Sequence, residues 1–261
     1  CRVLLKKIVF IRKMKNEPKK EPYYNNLIAL GYVPFNYSEK HYLFTRGNKV
    51  IKIARASYNT SDTDESYYIE KYSHDVLIGH GFPIVKIDKI YDKGELVDEF
   101  VVLEEEKKDG QVFYNKDCNT MILSQIVSFI EQVTQIKANS FGFMDRCGRS
   151  EHSSWRSFLM SIIERANPKQ KAELLAGFDI VPELKESVFV LTDCNTANFI
   201  FNHEKLQYAI DIERPLWGDR NFIYGMIKAR NRFMYQCVSE KLNEELIDYY
   251  AKIYEQLIFI K

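Results

Sequence analysis

The chain has 261 residues, of which 46% are hydrophobic and 28% charged, a composition typical of a globular protein that buries its cores without disulfide or metal support. Its 37 basic and 36 acidic residues nearly cancel, which argues against nucleic acid as the main partner. Five cysteines without a CxxC pair indicate neither a disulfide framework nor a zinc site and favour a cytoplasmic location. No apolar run reaches the ~20 residues that a membrane span needs, so no membrane partner is expected.

The first thirteen residues alternate apolar and basic side chains, and their charges interrupt any signal-peptide core. Met14 is a natural start. Residues 1–13 are therefore predicted to be a leader or an upstream remnant.

The first half of the chain predicts a small antiparallel sheet with one helix. The segment VIKIA at 50–54 is its clearest strand, because β-branched residues flank a single lysine. Ser61 and Asp62 are suitable N-caps for a helix that Gly79 ends. The runs IVKIDKIY and EFVVLE, separated by a DKG turn, predict two further strands.

After a polar connector at 104–111 the pattern changes to long helices. Apolar residues at helical spacing predict helices over 122–136 and 155–163, the second capped by Ser153 or Ser154. A third helix is expected to begin at Asn167-Pro168. The runs VFVLTD, NFIFN and LQYAIDI predict three short strands before the chain returns to helix. The predicted fold class is therefore α+β with two lobes, a small antiparallel sheet followed by a mostly helical part.

Three oxygen-bearing side chains follow one another near the predicted strand ends. Asp193 precedes Asn198 by five residues on a loop, and Asp211 follows thirteen residues later inside AIDIE. Phosphoryl transfer needs a carboxylate that accepts or orients the substrate hydroxyl and oxygen ligands that hold Mg²⁺ against nucleotide phosphates. The spacing therefore predicts a phosphoryl-transfer centre.

A kinase also needs a cation for the phosphates and an acid that positions it. Lys52 on the VIKIA strand and Glu70 on the following helix supply this pair. No GxxxxGK[ST] or GxGxxG motif occurs, which disfavours a P-loop NTPase. We also expect nucleotide contacts at Glu104 and Glu105, where the last strand of the first half meets the connector.

The segments LTDCNTANFIF and YAIDIERPLWGD resemble the catalytic segment of the aminoglycoside phosphotransferases, whose pattern is HxDxxxxN followed by a strand with IDxE or IDW and then Gly-Asp. HGFPIVKI and FGFMDRCGRSEHSSWRSFL are similar to further family segments. The second half of the chain most resembles the hygromycin-type enzymes. The resemblance covers nearly the whole chain from about residue 25.

The resemblance implies a two-lobed, protein-kinase-like fold, with a nucleotide-binding lobe at 14–105 and a catalytic and substrate-binding lobe at 106–261. It implies that Asp193 is the catalytic carboxylate and that Asn198 and Asp211 are the Mg²⁺ ligands. Lys52, with Glu70 as its partner, would bind the phosphates of ATP, or of GTP in its place. The implied activity is phosphorylation of a hydroxyl on a polar small molecule, with aminoglycoside antibiotics as the leading class and antibiotic resistance as the outcome. The oligomeric state is not indicated.

Several alternatives stay open. Glu213 and Asp219 either form an acidic wall for an amine-rich substrate, or Glu213 serves as a cap or pairs with Arg214 or Arg220. A metabolite kinase acting on choline, homoserine or a sugar amine fits the same motifs. Leu191 stands where the family usually has histidine, which leaves a nucleotide-binding pseudokinase as a third possibility.

Overall fold

The computed structural model describes residues 18–238 and 243–259, with side chains as far as Glu255. The predicted leader at 1–13 lies outside the described residues. Within the described part of the chain, no helix has the length and apolar character that crossing a membrane requires.

The chain folds into two compact units. The first comprises the residues up to Asp75 together with Val85–Asp109, and the second comprises Val76–Ile84 and the residues from Gly110 onward. The segment Val76–Ile84 is joined to the rest of the second unit by a hydrogen bond from the Ala209 backbone N–H to the Pro83 carbonyl oxygen at 2.8 Å. The assignment of a nucleotide-binding lobe to 14–105 and of a catalytic lobe to 106–261 stays a prediction.

The first unit is built on a five-stranded antiparallel sheet with the strand order β1-β2-β3-β5-β4. Its strands are β1 (Val33–Tyr37), β2 (His41–Arg46), β3 (Lys49–Ala54), β4 (Ile87–Tyr91) and β5 (Val102–Glu106). β3 lies at the centre of this sheet and contains the predicted strand at 50–54, all of which is buried. A central, buried β3 places the side chain of Lys52 in a protected environment.

Two α-helices flank these strands in sequence, α1 (Tyr24–Ala29) and α2 (Ser61–Gly79). α2 ends at Gly79, as predicted, but its N-cap is not one of the predicted residues. Thr60 takes this position, because its Oγ1 accepts a hydrogen bond from the Thr63 backbone N–H at 3.3 Å. The prediction of Ser61 or Asp62 as the cap was therefore wrong by one residue, a usual error for helix ends.

The core of the first unit is rich in aromatic side chains. Tyr23, Phe44 and Phe100 pack edge to face, with ring centroids 4.8 and 6.3 Å from the Tyr23 ring. Edge-to-face contacts add about 0.5–1.5 kcal/mol per pair to the gain from burial. This packing fixes the sheet on which Lys52 is carried.

The second unit contains two small antiparallel sheets. One has the order β11-β10-β6 and the other β7-β9-β12-β8. The strands are β6 (Gln111–Val112), β7 (Lys137–Ala138), β8 (Gly142–Phe143), β9 (Ser187–Val190), β10 (Phe199–Asn202), β11 (Lys205–Ala209) and β12 (Leu216–Gly218). The loops that leave β9 and β11 carry the three residues singled out in the sequence.

Six helices complete the described part of the second unit: α3 (Thr120–Val133), α4 (Trp155–Ile163), α5 (Pro168–Ala176), α6 (Arg220–Arg230), α7 (Arg232–Tyr235) and α8 (Glu244–Phe259). α4 begins with a capping box between Ser154 and Ser157, and Asn167 caps α5 through a 3.1 Å bond from Gln170 N–H. Both caps satisfy helix N–H groups that have no partner within the helix. These starts agree with the sequence prediction.

Helices α6 and α8 pack closely around Gly225. A Cβ atom at this glycine would lie 2.7 Å from Tyr250 Cβ and 2.9 Å from the Ala251 backbone nitrogen. Nearby, Trp155 Nε1 donates to the Tyr250 hydroxyl at 2.8 Å, and that hydroxyl donates to Asp219 Oδ2 at 2.7 Å. This buried chain ties α4, α6 and α8 together.

The predicted fold class is confirmed: a small antiparallel sheet forms the first part, and the second part is mostly helical. The sequence did not predict strands β6, β7, β8 and β12. Strands of two or three residues carry no measurable periodicity. One of them, β12, nevertheless leads the chain directly into Asp219.

Candidate active site

The first unit contains a buried ion pair between Lys52 on β3 and Glu70 on α2. The Lys52 Nζ to Glu70 Oε2 distance is 2.9 Å, and the two side chains are 7% and 1% exposed. Both charges need a partner at this depth, because an uncompensated buried charge costs several kcal/mol. The two residues that the sequence predicted to act together are therefore in direct contact.

His74 lies one turn after Glu70 on α2 and is fully buried. Its Nδ1 is 2.7 Å from the Val85 carbonyl oxygen, and its Nε2 is 3.9 Å from Glu70 Oε1. Because a carbonyl oxygen can only accept, Nδ1 carries the proton of the bond to Val85. His74 thus fixes α2 behind the Lys52–Glu70 pair.

In the second unit, Asp193 lies on the loop that leaves β9. Its Oδ1 accepts a hydrogen bond from the Asn195 backbone N–H at 3.1 Å, and Asn195 Oδ1 accepts from the Ala197 N–H at 3.1 Å. Such Asx turns allow short polar side chains to hold a tight loop. The loop ends in a 3₁₀ turn, Thr196–Asn198, which leads into β10.

The hairpin of β10 and β11 brings Asp211 beside Asn198. Phe199 pairs with Ala209, and the Ile210 N–H donates to the Asn198 carbonyl oxygen at 2.9 Å. The next residue, Asp211, has a φ of +63°, a left-handed conformation that is uncommon for a non-glycine residue and occurs often at functional sites. The hairpin register thus brings Asn198 and Asp211 together although thirteen positions separate them in the sequence.

The Asp193 carboxylate is surrounded by protein atoms on one side and retains 48% side-chain exposure on the other. Burial raises its pKa, and the nearby Asp211 carboxylate raises it further. Arg230 acts in the opposite direction, with its Nη1 3.2 Å from Asp193 Oδ1, as does the N–H of Asn195. The burial effect outweighs the arginine, so the carboxyl has a raised pKa, a property frequent among catalytic acids and bases.

The oxygen ligands of the second unit fit a hard cation. Asn198 is 9% exposed, and its amide makes no side-chain hydrogen bond within the described residues, with Nδ2 unpartnered. The amide still lowers the pKa of Asp193, although the two groups do not meet hydrogen-bond geometry. A buried amide without a protein partner, together with the Asp211 carboxylate, supplies the neutral and anionic oxygens that Mg²⁺ prefers.

The second unit also contains a concave pocket of about 580 Å³. Its lining combines aromatic, basic and acidic side chains: Phe143, Met144, Asp145, Arg149, Ser150, Glu151, His152, Phe158, Ser161, Ile162, Arg165 and Arg214. Thr192, the residue before Asp193, donates from Oγ1 to the Arg214 carbonyl oxygen at 2.6 Å. One wall of the pocket is therefore bonded directly to the Asp193 loop.

Asp219, predicted as part of an acidic wall for the substrate, has a structural role. It is 4% exposed and caps α6, with Oδ1 accepting from the Asn221 backbone N–H at 2.9 Å and from its Nδ2 at 3.0 Å. Its Oδ2 accepts from Tyr250. Because both oxygens accept hydrogen bonds in the interior, the structure contradicts the wall prediction for this residue. Glu213 is half-buried, and its role stays a prediction.

Glu104, predicted to contact the nucleotide, is 9% exposed and lies in β5. Its Oε2 accepts hydrogen bonds from the hydroxyls of Tyr32 at 3.1 Å and Tyr91 at 3.3 Å. These two hydrogen bonds give the Glu104 carboxylate a structural role within the first unit. Glu105 is half-buried on the same strand, and nucleotide contacts at both positions stay predictions.

Sequence reasoning missed Arg230, which lies 37 positions after its partner Asp193. No local motif marks an arginine in the last turn of a helix as the partner of a distant carboxylate. Leu191, the departure from the histidine pattern, is 3% exposed and packs as an apolar core residue. Its carbonyl accepts a 3.7 Å hydrogen bond from Cys194 Sγ, and burial raises the pKa of that thiol, which disfavours Cys194 as a nucleophile.

No family model and no curated protein matches this sequence. Solved structures match in fold. The crystal structure of aminoglycoside phosphotransferase APH(4)-Ia superposes with a TM-score of 0.68 at 14% identity and covers 86% of this chain and 83% of its own. A thermostable mutant of the same enzyme, in a ternary complex with ADP and hygromycin B, gives a TM-score of 0.67 at 13% identity, with coverages of 90% and 88%.

The GDP and kanamycin complex of APH(2″)-IIIa is also similar, with a TM-score of 0.58 at 10% identity, covering 90% of this chain and 87% of that one. At these identities the comparisons establish a shared fold. The chain has the fold of the aminoglycoside phosphotransferases, as the sequence resemblance predicted.

Proposed function

We propose that this chain is an ATP- and magnesium-dependent phosphotransferase that phosphorylates a hydroxyl of a polar small molecule, with GTP as a possible alternative donor. The observation that carries the proposal is the Asp193 loop, where a carboxylate of raised pKa precedes the β10–β11 hairpin that presents Asn198 and Asp211. The shared fold with enzymes crystallised with ADP or GDP supports it.

Asp193 has the role of orienting the acceptor hydroxyl and accepting its proton. Its raised pKa makes the carboxylate a better proton acceptor than an ordinary aspartate, while Arg230 keeps it ionised. General bases of this kind contribute ~10²–10⁴-fold to rate. The Asn195 N–H and Arg230 both contact Oδ1, which holds the carboxylate in one orientation.

Lys52, held by Glu70, binds the phosphates of the nucleotide. The buried pair keeps the ammonium at a defined position, so little conformational entropy is lost on binding. Asn198 and Asp211 would hold the magnesium ion. When bound, magnesium neutralises the negative charge of the phosphates and keeps them in line for transfer.

Two acceptor classes are candidates. An aminoglycoside-type antibiotic is supported by the motif resemblance and by neighbours crystallised with hygromycin B and kanamycin. A metabolite is supported by the composition of the pocket that Arg214 lines, which contains three arginines. Polycationic antibiotics would meet repulsion there.

The test uses the full chain with ATP, Mg²⁺ and a panel of hydroxylated acceptors, followed by mass spectrometry for an added phosphate. A resistance screen in a sensitive bacterium covers the antibiotic class. We expect transfer to at least one acceptor, lost by roughly 10²-fold or more in Asp193→Ala. Binding of ATP without Mg²⁺-dependent transfer or slow ATP hydrolysis would identify the pseudokinase alternative, and retained transfer in Asp193→Ala would remove the role given to Asp193.

A further inference from the structure

The 580 Å³ pocket of the second unit has an excess of positive charge. Three arginines line it, Arg149, Arg165 and Arg214, against the two carboxylates Asp145 and Glu151. An arginine-rich wall is the usual protein surface for a carboxylate or a phosphate, because the guanidinium offers several N–H donors in one plane.

One of these arginines is already neutralised. Arg149 Nε and Nη2 each lie 3.1 Å from Asp145 Oδ2. Burial would raise the pKa of Asp145, but hydrogen bonds from the backbone N–H groups of Arg149 and Cys147 outweigh it and hold the pKa below its ordinary value. Asp145 therefore stays ionised and occupied by Arg149.

The other two arginines remain available. Within the described part of the chain, neither Arg165 nor Arg214 forms an ion pair, and both are exposed. The Arg214 guanidinium carbon lies 5.0 Å from the centroid of the Phe143 ring, which restricts its motion while leaving its N–H groups free at the rim. Against these two positive charges the pocket offers one carboxylate without an ion pair, Glu151.

The sheet places the backbone of Arg214 next to the segment that leads to Asp193. β12 pairs with β9 and β8 so that Leu216 lies between Val190 and Phe143. In this antiparallel arrangement the chain leaves β9 towards Asp193 at the same edge at which Arg214 precedes β12. The 2.6 Å bond from Thr192 Oγ1 to the Arg214 carbonyl oxygen joins the two segments.

We infer that this pocket binds the acceptor and that the acceptor is anionic: a small hydroxylated molecule with a carboxylate or phosphate group held by Arg165 and Arg214. The inference rests on the proposed function for its link to catalysis. A volume of about 580 Å³ suits a small metabolite. The anion would bind at the arginines while its hydroxyl is directed to the Asp193 loop, so charge determines both affinity and orientation.

Calorimetric titration of the full chain tests the charge preference. The probes are D-glycerate as a carboxylate, glycerol 3-phosphate as a phosphate ester, glycerol as a neutral molecule and kanamycin as a polycation. We expect at least one of the anionic probes to bind and glycerol and kanamycin to bind more weakly. The stronger of the two anions identifies the group that the arginines recognise.

Variants that remove one arginine charge should change the affinities for the anionic and the cationic probes in opposite directions. Arg165→Gln and Arg214→Gln should each weaken the anionic probe by roughly tenfold, the effect of losing one charge-assisted hydrogen bond, and any residual kanamycin binding should become tighter. Lys169→Gln removes an equal charge from an exposed position on α5 outside the pocket and should change nothing. Thermal unfolding checks that each variant is folded, as expected for exposed positions.

Binding of neither anion, tighter binding of kanamycin than of both anions by the wild type, or equal loss in Lys169→Gln and the arginine variants would overturn the inference. Phosphate transfer is measured separately with the acceptor panel. Transfer to cationic acceptors that is unaffected by the arginine variants overturns the inference and leaves the proposed function intact. Arginine-dependent anion binding without any transfer supports the pocket assignment and counts against the proposed function.

Discussion

Arg230 Nη1 lies 3.2 Å from Asp193 Oδ1, and the guanidinium carbon of Arg230 lies 6.0 Å from the ring centroid of Tyr254. The arginine ends α6, and the tyrosine hydroxyl donates to the Thr192 carbonyl oxygen at 3.2 Å. The carboxylate is thus held by an arginine whose own position depends on the packing of α6 and α8. The side chains of Arg230 and Asp193 are about half exposed, so this ion pair affects the protonation of Asp193 more than the stability of the fold.

Replacement of Arg230 by glutamine should change the pH dependence of catalysis. Burial raises the pKa of Asp193 and Arg230 opposes this. Without the arginine the pKa rises further, so the acid limb of the kcat/KM profile should move to higher pH, with activity falling most at low pH. The measurement is a pH–rate profile with the acceptor found in the panel.

Two variants serve as controls for this effect. Arg230→Lys keeps the positive charge and should retain most of the wild-type profile. Arg232→Gln removes an exposed arginine from α7 and should leave the acid limb in place. An Arg230→Gln enzyme with lower activity but an unmoved acid limb would show that the arginine braces the loop without tuning the carboxyl.

Substitution of Asp193 by asparagine should not destabilise the fold at neutral pH. A raised folded-state pKa means that the contribution of this group to stability is fully present below its ordinary pKa and is lost as pH rises through the raised value. Asparagine has nearly the same shape and carries no charge, so the variant does not lose stability by ionisation at this position. We expect the Tm of Asp193→Asn to equal or exceed that of the wild type at pH 7, with the difference shrinking towards pH 4.

Asp145→Asn is the matched control with the opposite sign. The pKa of Asp145 is lowered by hydrogen bonds that outweigh its burial, so its stabilising contribution is present above the ordinary pKa and is lost as pH falls through the lowered value. This variant should have a lower Tm at pH 7. A large Tm loss in Asp193→Asn at neutral pH would contradict the assigned shift.

Some features of the site could be predicted from the sequence because each depends on a local pattern. Lys52 was identified because β-branched neighbours define β3, and Glu70 because it lies on the helix that follows this strand. Asp193 and Asn198 lie on one short loop, and a strand pair connected by a tight turn brings Asp211 to them. In each case periodicity or a turn determines the geometry.

Other features depend on tertiary contacts that leave no local signal. Arg230 meets Asp193 only because α6 follows β12 and packs on α8. The charge of the pocket arises from Arg149, Arg165 and Arg214, which lie on three separate segments. Asp219 illustrates a signal that was overlooked: an aspartate just before a helix is a standard N-cap.

The buried Lys52–Glu70 pair leads to a prediction about stability. Lys52→Met leaves the 1% exposed Glu70 carboxylate without its ammonium partner and should cost about 3–5 kcal/mol. The double variant Lys52→Met with Glu70→Met removes both charges at similar volume and should recover most of this loss. Urea unfolding of the three proteins provides the comparison.

Activity separates the two roles of this pair. The double variant should be folded but should bind Mg²⁺–ATP weakly and transfer no phosphate, because the Lys52 ammonium assigned to the phosphates is lost. If the single variant is as stable as the wild type, Glu70 is accommodated by another group and the pair is not needed for folding. If the double variant retains transfer, Lys52 does not bind the phosphates.

Gly225 and Gly79 are both helical glycines, and alanine should have opposite effects at the two positions. At Gly225 a new Cβ would lie 2.7 Å from Tyr250 Cβ, 2.9 Å from the Ala251 nitrogen and 3.0 Å from the Ile247 carbonyl oxygen. Two of these are backbone atoms of α8 and cannot move aside, so overpacking by about 1–3 kcal/mol should exceed the ~1 kcal/mol gained in helix propensity.

At Gly79 no atom lies within 4 Å of the added Cβ, so the propensity gain should remain and raise stability by up to about 1 kcal/mol. Denaturant unfolding of both variants measures the difference. Because α6 carries Arg230, Gly225→Ala should also displace the arginine and lower the rate of transfer, whereas Gly79→Ala should leave the rate unchanged. Equal stability of the two variants would mean that α6 and α8 can separate at Gly225 without cost, and Arg230 would then not be held by their packing.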